Sequence, residues 1–161
     1  MSFVNNTFLG TDAGVQAGHG FGAFTFYAGT GFSAAGTFFA TNNYFQDFRS
    51  VLQSNAGAAM KFTHNSVSAA TCLAHDLGAT CTTAASSLDS GGPSVAAGGS
   101  GNHVEDCTLR DAFNGDWHLS PGSTCAATGV ADPLNPTTDL DGDARPAPSG
   151  SAIDRGADEV P

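Results

Sequence analysis

Apolar and polar residues alternate along this chain in short bursts, and three of these bursts repeat one another. They are Phe3-Val4-Asn5-Asn6-Thr7-Phe8, Ala40-Thr41-Asn42-Asn43-Tyr44-Phe45 and Phe62-Thr63-His64-Asn65-Ser66-Val67. Period-two alternation reads as strand. Each copy sets an Asn two residues after Val or Thr and two before an apolar residue. These marker asparagines stand at 6, 43 and 65, at intervals of 37 and 22 residues. Stacked repeats recur roughly every 20 to 25 residues. The shorter interval is therefore one plain coil. The longer one is either a coil with an excursion or two coils with one unmarked.

A coil that turns sharply between strands needs a residue with positive φ, and Asn tolerates that backbone better than most. Stacking would place Asn6, Asn43 and Asn65 over one another, where their amides can form a hydrogen-bonded ladder. The flanking residues then point inward, Val4, Thr41 and Thr63 in one stack and Phe8, Phe45 and Val67 in another. Further strands are expected at Phe24-Thr25-Phe26, at 103–109 and at Trp117-His118-Leu119. Two stretches break the pattern and read as excursions. Residues 10–37 are Gly-rich with interspersed Phe, and 68–101 carry two cysteines and an Ala/Ser/Gly low-complexity run. From Ala131 onward Pro recurs at 133, 136, 146, 148 and 161, which excludes regular ladders and predicts an extended wrap. The expected organisation is strand-bearing coils over 1–119 and a capping segment over 120–161.

Composition narrows this picture. Among 161 residues there are 21 glycines, and 12% are charged, about half the usual share. That suits many short strands joined by tight turns better than long helices. No stretch approaches the roughly 18 apolar residues of a membrane span. The twelve Phe against one Trp and two Tyr point to inward aromatic stacks, with an exposed aromatic platform for sugars as the alternative. The net charge is −10, and from Asn102 onward eleven acids face three arginines. Such a field repels phosphate backbones and attracts divalent cations, so nucleic acid is not an expected partner.

Candidate chemistry is sparse. In Asp139-Leu140-Asp141-Gly142-Asp143, alternating acids on a turn could aim the carboxylates of Asp139, Asp141 and Asp143 at one calcium ion. The positions that an EF-hand needs as Gly and acid are Ala144 and Gly150, so it is not one. The competing reading is that these acids cap turns by accepting backbone N–H bonds. No other cofactor is expected. Cys72, Cys81, Cys107 and Cys125 are compatible with two disulfides in an oxidising compartment, with three connectivities open. A Cys72–Cys81 bond would close a short loop, and Cys107–Cys125 would tie a coil to the cap. Their spacing fits no zinc pattern. The catalytic candidates are Asp47, Arg49, Lys61 and His64. Asp47 and Arg49 share a face of an apparent strand, but no carboxylate pair recurs at coil spacing, which glycoside hydrolysis would want.

Three blocks near the C-terminus carry a family resemblance. They are Asn114-Gly115-Asp116-Trp117-His118-Leu119-Ser120-Pro121-Gly122-Ser123, then Thr138-Asp139-Leu140-Asp141-Gly142-Asp143-Ala144-Arg145-Pro146, then Ile153-Asp154-Arg155-Gly156-Ala157-Asp158-Glu159. In this order they resemble the end of the bacterial surface proteins called choice-of-anchor Q proteins. The resemblance covers roughly 103–160. It departs at Thr124-Cys125-Ala126-Ala127-Thr128-Gly129, where the family reads Pro-Ala-Ile-Asp-x-Gly; there a disulfide at Cys125 would replace the lost packing. The resemblance implies an all-β chain, a right-handed parallel β-helix (single-stranded solenoid) of few coils with long excursions, closed by an extended C-terminal cap. It implies a bacterial protein of the cell surface or extracellular space. The chain starts within an apparent strand, Met1-Ser2-Phe3-Val4, with no signal peptide, so the expectation is a C-terminal part whose signal lies upstream. The expected role is a non-enzymatic surface or adhesion module presenting a glycan- or protein-binding surface. The alternative is a polysaccharide lyase or glycoside hydrolase of the pectate-lyase-like type with its active coils mainly upstream.

Overall fold

A computed structural model describes residues 2–9, 22–26, 37–46, 50–54, 59–68, 72–76, 81–82 and 99–160. Asp47 and Arg49, most of the two expected excursions, and the side chains of Cys72 and Cys81 lie outside the described residues. The strands follow one another in triplets. They are β1 (Ser2–Val4), β2 (Thr7–Leu9) and β3 (Gly22–Phe26), then β4 (Thr37–Thr41), β5 (Tyr44–Gln46) and β6 (Ser50–Ser54), then β7 (Ala59–Thr63), β8 (Ser66–Val67) and β9 (Cys72–Asp76). The chain deals these strands in turn to three sheets, ordered β1-β4-β7, β2-β5-β8 and β3-β6-β9, and all their pairings are parallel. β10 (Cys81–Thr82) adds antiparallel to β9, and β11 (His103–Val104) adds parallel to β8. A last hairpin joins β12 (Leu109–Asp111) to β13 (Asp116–Leu119). The fold is all-β, built on parallel sheets. Among the described residues no helix is long and apolar enough to cross a membrane.

The direct pairing of Ser2 with Phe39 resolves the 37-residue interval as one cycle, with β3 as its third strand. In the second sheet Phe8, Phe45, Val67 and Val104 stand in register. The Phe8 and Phe45 rings stack at 4.9 Å and 5°, Phe3 meets Phe8 edge-on, and Phe62 tilts against Phe45 at 6.5 Å. Ala40, Phe45, Phe62 and Val67 are buried. Each large side chain removed from water in this way stabilises the fold by about 1.5–3 kcal/mol. Val4, Thr41 and Thr63 also stand in register, but they do not form the inner stack expected of them. Their neighbours Phe3, Ala40 and Phe62 face the core, and the period of two turns the other row to the opposite face of the sheet.

Asn6, Asn43 and Asn65 form the expected ladder, and Asn102 extends it. Asn6 Nδ2 donates to Asn43 Oδ1 at 3.1 Å, Asn43 Nδ2 to Asn65 Oδ1 at 2.9 Å, and Asn65 Nδ2 to Asn102 Oδ1 at 2.9 Å. Each of these oxygens also takes the backbone N–H of the asparagine one layer earlier, at 2.9–3.0 Å. The positive φ expected at the ladder residues falls one position earlier. Asn5, Asn42, His64 and Gly101 carry it, at 53°, 56°, 53° and 68°. The left-handed residue makes the corner, and the asparagine after it is thereby aimed along the stack.

The C-terminal segment leaves Val104, at the end of its row, 54% exposed. It runs along the side of the stack. Arg155 Nη1 donates to Ser66 Oγ and Glu105 Oε1, both at 2.9 Å. Asn42 exchanges bonds with Val130, and Gly156 N–H donates to Asn42 O at 2.8 Å. Ala157 N–H reaches Thr7 Oγ1 at 3.0 Å. A second core forms beneath this strap from Tyr44, Cys107, Leu119 and Cys125. Cys107 and Cys125 are joined as a disulfide, Cα to Cα 5.2 Å.

Candidate functional site

The strap is organised by buried charge. Arg145 donates from Nε to Glu159 Oε2 at 3.0 Å, with both side chains fully buried. Its Nη2 serves the carbonyls of Asp154, Gly156 and Asp158 at 3.0–3.1 Å, and Nη1 that of Ala157. The backbone from 154 to 158 thus curls around one guanidinium, which suits arginine's planar set of donors and no other side chain. Asp154 accepts the N–H groups of Ala127 and Val160, and burial pushes its carboxyl up from the ordinary value. Gly156 takes φ +97°, and a Cβ there would stand 2.8 Å from Thr7 Oγ1. Only glycine fits so close to the stack at that angle.

A second cluster joins the hairpin to the strap. Asp116 and His118 lie two apart on β13 and so share a face, while Leu119 between strand and stack is buried. Asp116 Oδ1 contacts His118 Nδ1, and Asp141 Oδ2 lies 2.5 Å from Nε2. Asp116 first, then Asp141, push the imidazole up from 6.5 to about 9. His118 in turn holds the Asp116 carboxyl below its usual range. Asp158 Oδ2 accepts Leu119 N–H at 2.7 Å. Ligand atoms of His118, Asp141 and Asp158 all lie within 4.8 Å of one another, the one such group of three among the described residues.

The structure does not bring Asp139, Asp141 and Asp143 together on one point. Asp139 Oδ1 accepts the N–H groups of Asp141 and Asp143 at 3.0 and 2.9 Å, capping its own turn. Asp143 closes that turn through its carbonyl, and Gly142 takes φ +91° within it. Asp141 alone leaves the turn, for His118. Lys61 lies on the outer face of the first sheet, and His64 occupies a corner with its ring close to Gly101. A cleft of about 580 Å³ opens between the first corner and the loop that carries Leu134, Pro136 and Leu140.

Sequence reasoning missed His118 and Asp116, although an acid and a histidine two apart on a strand was a legible signal. It also missed Asn102, where Asn-x-Val is present but Ser100 stands in place of Val or Thr. In comparisons with known proteins no family model matches the chain, and no curated protein or solved structure matches it.

Proposed function

We propose that this chain forms a right-handed parallel β-helix from the bacterial cell surface or extracellular space, of the choice-of-anchor Q kind, acting as a non-enzymatic binding module. The cycling of strands through three parallel sheets supports the solenoid, and the Cys107–Cys125 disulfide supports an oxidising compartment. One observation carries the binding role. In the first sheet Ser2, Phe39 and Lys61 stand in register on the outer face, all exposed, with Phe39 at 41%. The outer face of the second sheet lies beneath the strap. The open row sets an aromatic ring beside an ammonium on a flat support. A ring stacks on a sugar, and the lysine supplies hydrogen-bond donors, so a glycan suits it best.

The test is a screen of immobilised glycans with the full chain and its Phe39→Ala and Lys61→Ala variants. Retention on a glycan, lost in both variants, is the expected result. Release of unsaturated sugars from polyuronides would replace this reading with the lyase alternative. Binding indifferent to Phe39 and Lys61 would move the surface elsewhere.

A further inference from the structure

We propose that His118, Asp141 and Asp158 form a binding site for a divalent transition-metal ion of the zinc type, with Asp116 as the residue that positions His118. The three ligands come from three segments, the hairpin strand, the acidic turn and the end of the strap, and they converge within 4.8 Å. The site does not rest on the β-helix reading or on the glycan surface.

Four features point to the ion class. A neutral imidazole with two carboxylates carries charge −2, matching a divalent cation. Nitrogen in the donor set disfavours calcium and magnesium, which take oxygen ligands, and suits zinc and its neighbours. Asp116 occupies His118 Nδ1, which leaves Nε2 as the ligand atom, and a carboxylate on the far ring nitrogen is the usual companion of a metal-bound histidine. Asp158 is 4% exposed as a residue, its Oδ2 takes Leu119 N–H, and its other oxygen accepts no hydrogen bond from any described residue and is open to a cation.

The geometry needs small movements of the ligands. Nε2 and Asp141 Oδ2 are 2.5 Å apart. Two ligand atoms each bound at about 2.0–2.1 Å in a tetrahedron stand roughly 3.3 Å apart. Asp141 sits on an exposed turn, its side chain 51% exposed, and can retreat by that amount. Three protein ligands leave a fourth position for water.

Titration calorimetry of the full, disulfide-intact chain with zinc chloride tests the proposal, with calcium chloride in parallel. One zinc per chain is expected, with a Kd below about 100 µM. The variants His118→Ala and Asp141→Asn should each weaken zinc binding by at least ~10-fold, and Asp116→Asn by about tenfold. Asp141 is exposed, so its variant keeps the fold even if His118→Ala does not. Nitrogen-15 spectra of the histidine rings should show the His118 Nε2 resonance, and not Nδ1, moving with zinc. No saturable zinc heat, zinc binding retained in either ligand variant, or calcium bound more tightly than zinc would overturn the site.

Discussion

Asn5 and Asp154 are 149 residues apart, yet the Asn5 side chain donates to the Asp154 carbonyl at 2.8 Å. The first corner of the stack is thus held by the strap that ends the chain. The same carbonyl accepts from Arg145 Nη2, so the guanidinium and the corner meet at one oxygen.

Arg145 is therefore the centre of the strap. Arg145→Met should cost about 3–5 kcal/mol, because Glu159 becomes a buried charge without its partner. Arg145→Lys should recover little, since an ammonium cannot serve Glu159 and four carbonyls at once. Denaturant unfolding measures the loss. Hydrogen exchange should locate it at the amides of Ala157 and Gly156, and equal protection in variant and parent would refute the assignment.

The ladder makes a second prediction. Asn65→Ala removes the acceptor of Asn43 N–H and Nδ2 and the donor to Ala40 O, all in buried surroundings. Each group left unmatched costs about 1–3 kcal/mol, so the variant should lose at least ~3 kcal/mol of unfolding free energy. A loss below about 1 kcal/mol, the net worth of one ordinary hydrogen bond, would show the ladder to be dispensable.

The disulfide closes a loop of sequence separation 18 between the last coil and the strap. Reduction, or Cys107→Ser with Cys125→Ser, should lower stability by about 3 kcal/mol. Peptide mapping without reductant should recover the linked 107–125 pair; its absence would contradict the pairing.

The pH dependence follows from His118. Its pKa is pushed up from 6.5 to about 9 by Asp116 and Asp141, with Asp158 adding and Arg110 facing Asp116. A folded-state pKa above the unfolded one means that the imidazolium's stabilisation is complete below about 6.5 and is lost as pH rises through about 9. In chelator, the stability gap between the parent and His118→Gln should shrink between those values. A gap that widens with pH would reverse the sign and refute it.

Gly156→Ala tests the close approach of strap to stack. The positive φ alone costs roughly 1–2 kcal/mol for an L side chain. The contact with Thr7 Oγ1 adds to it, so Thr7→Ala should restore part of the loss, measured as a double-mutant cycle.

The repeated Asn pattern and the period-two alternation determined the strands that flank the ladder asparagines, the ladder and the all-β class, because both are local consequences of backbone geometry. Phe8, Phe45 and Val67 were legible as one row for the same reason. Which of two alternating rows faces the core was not, since Val4 and Phe3 are both apolar and only the packed neighbours choose between them. The corner fell on Asn5, Asn42, His64 and Gly101, three different residue types, because what all four share is a dihedral angle. The meeting of His118 with Asp141 and Asp158, the curl of the strap around Arg145 and its course along the side of the stack belong to the tertiary structure alone. They join residues far apart in the chain, and nothing in local sequence encodes which distant surface a proline-broken segment will cover.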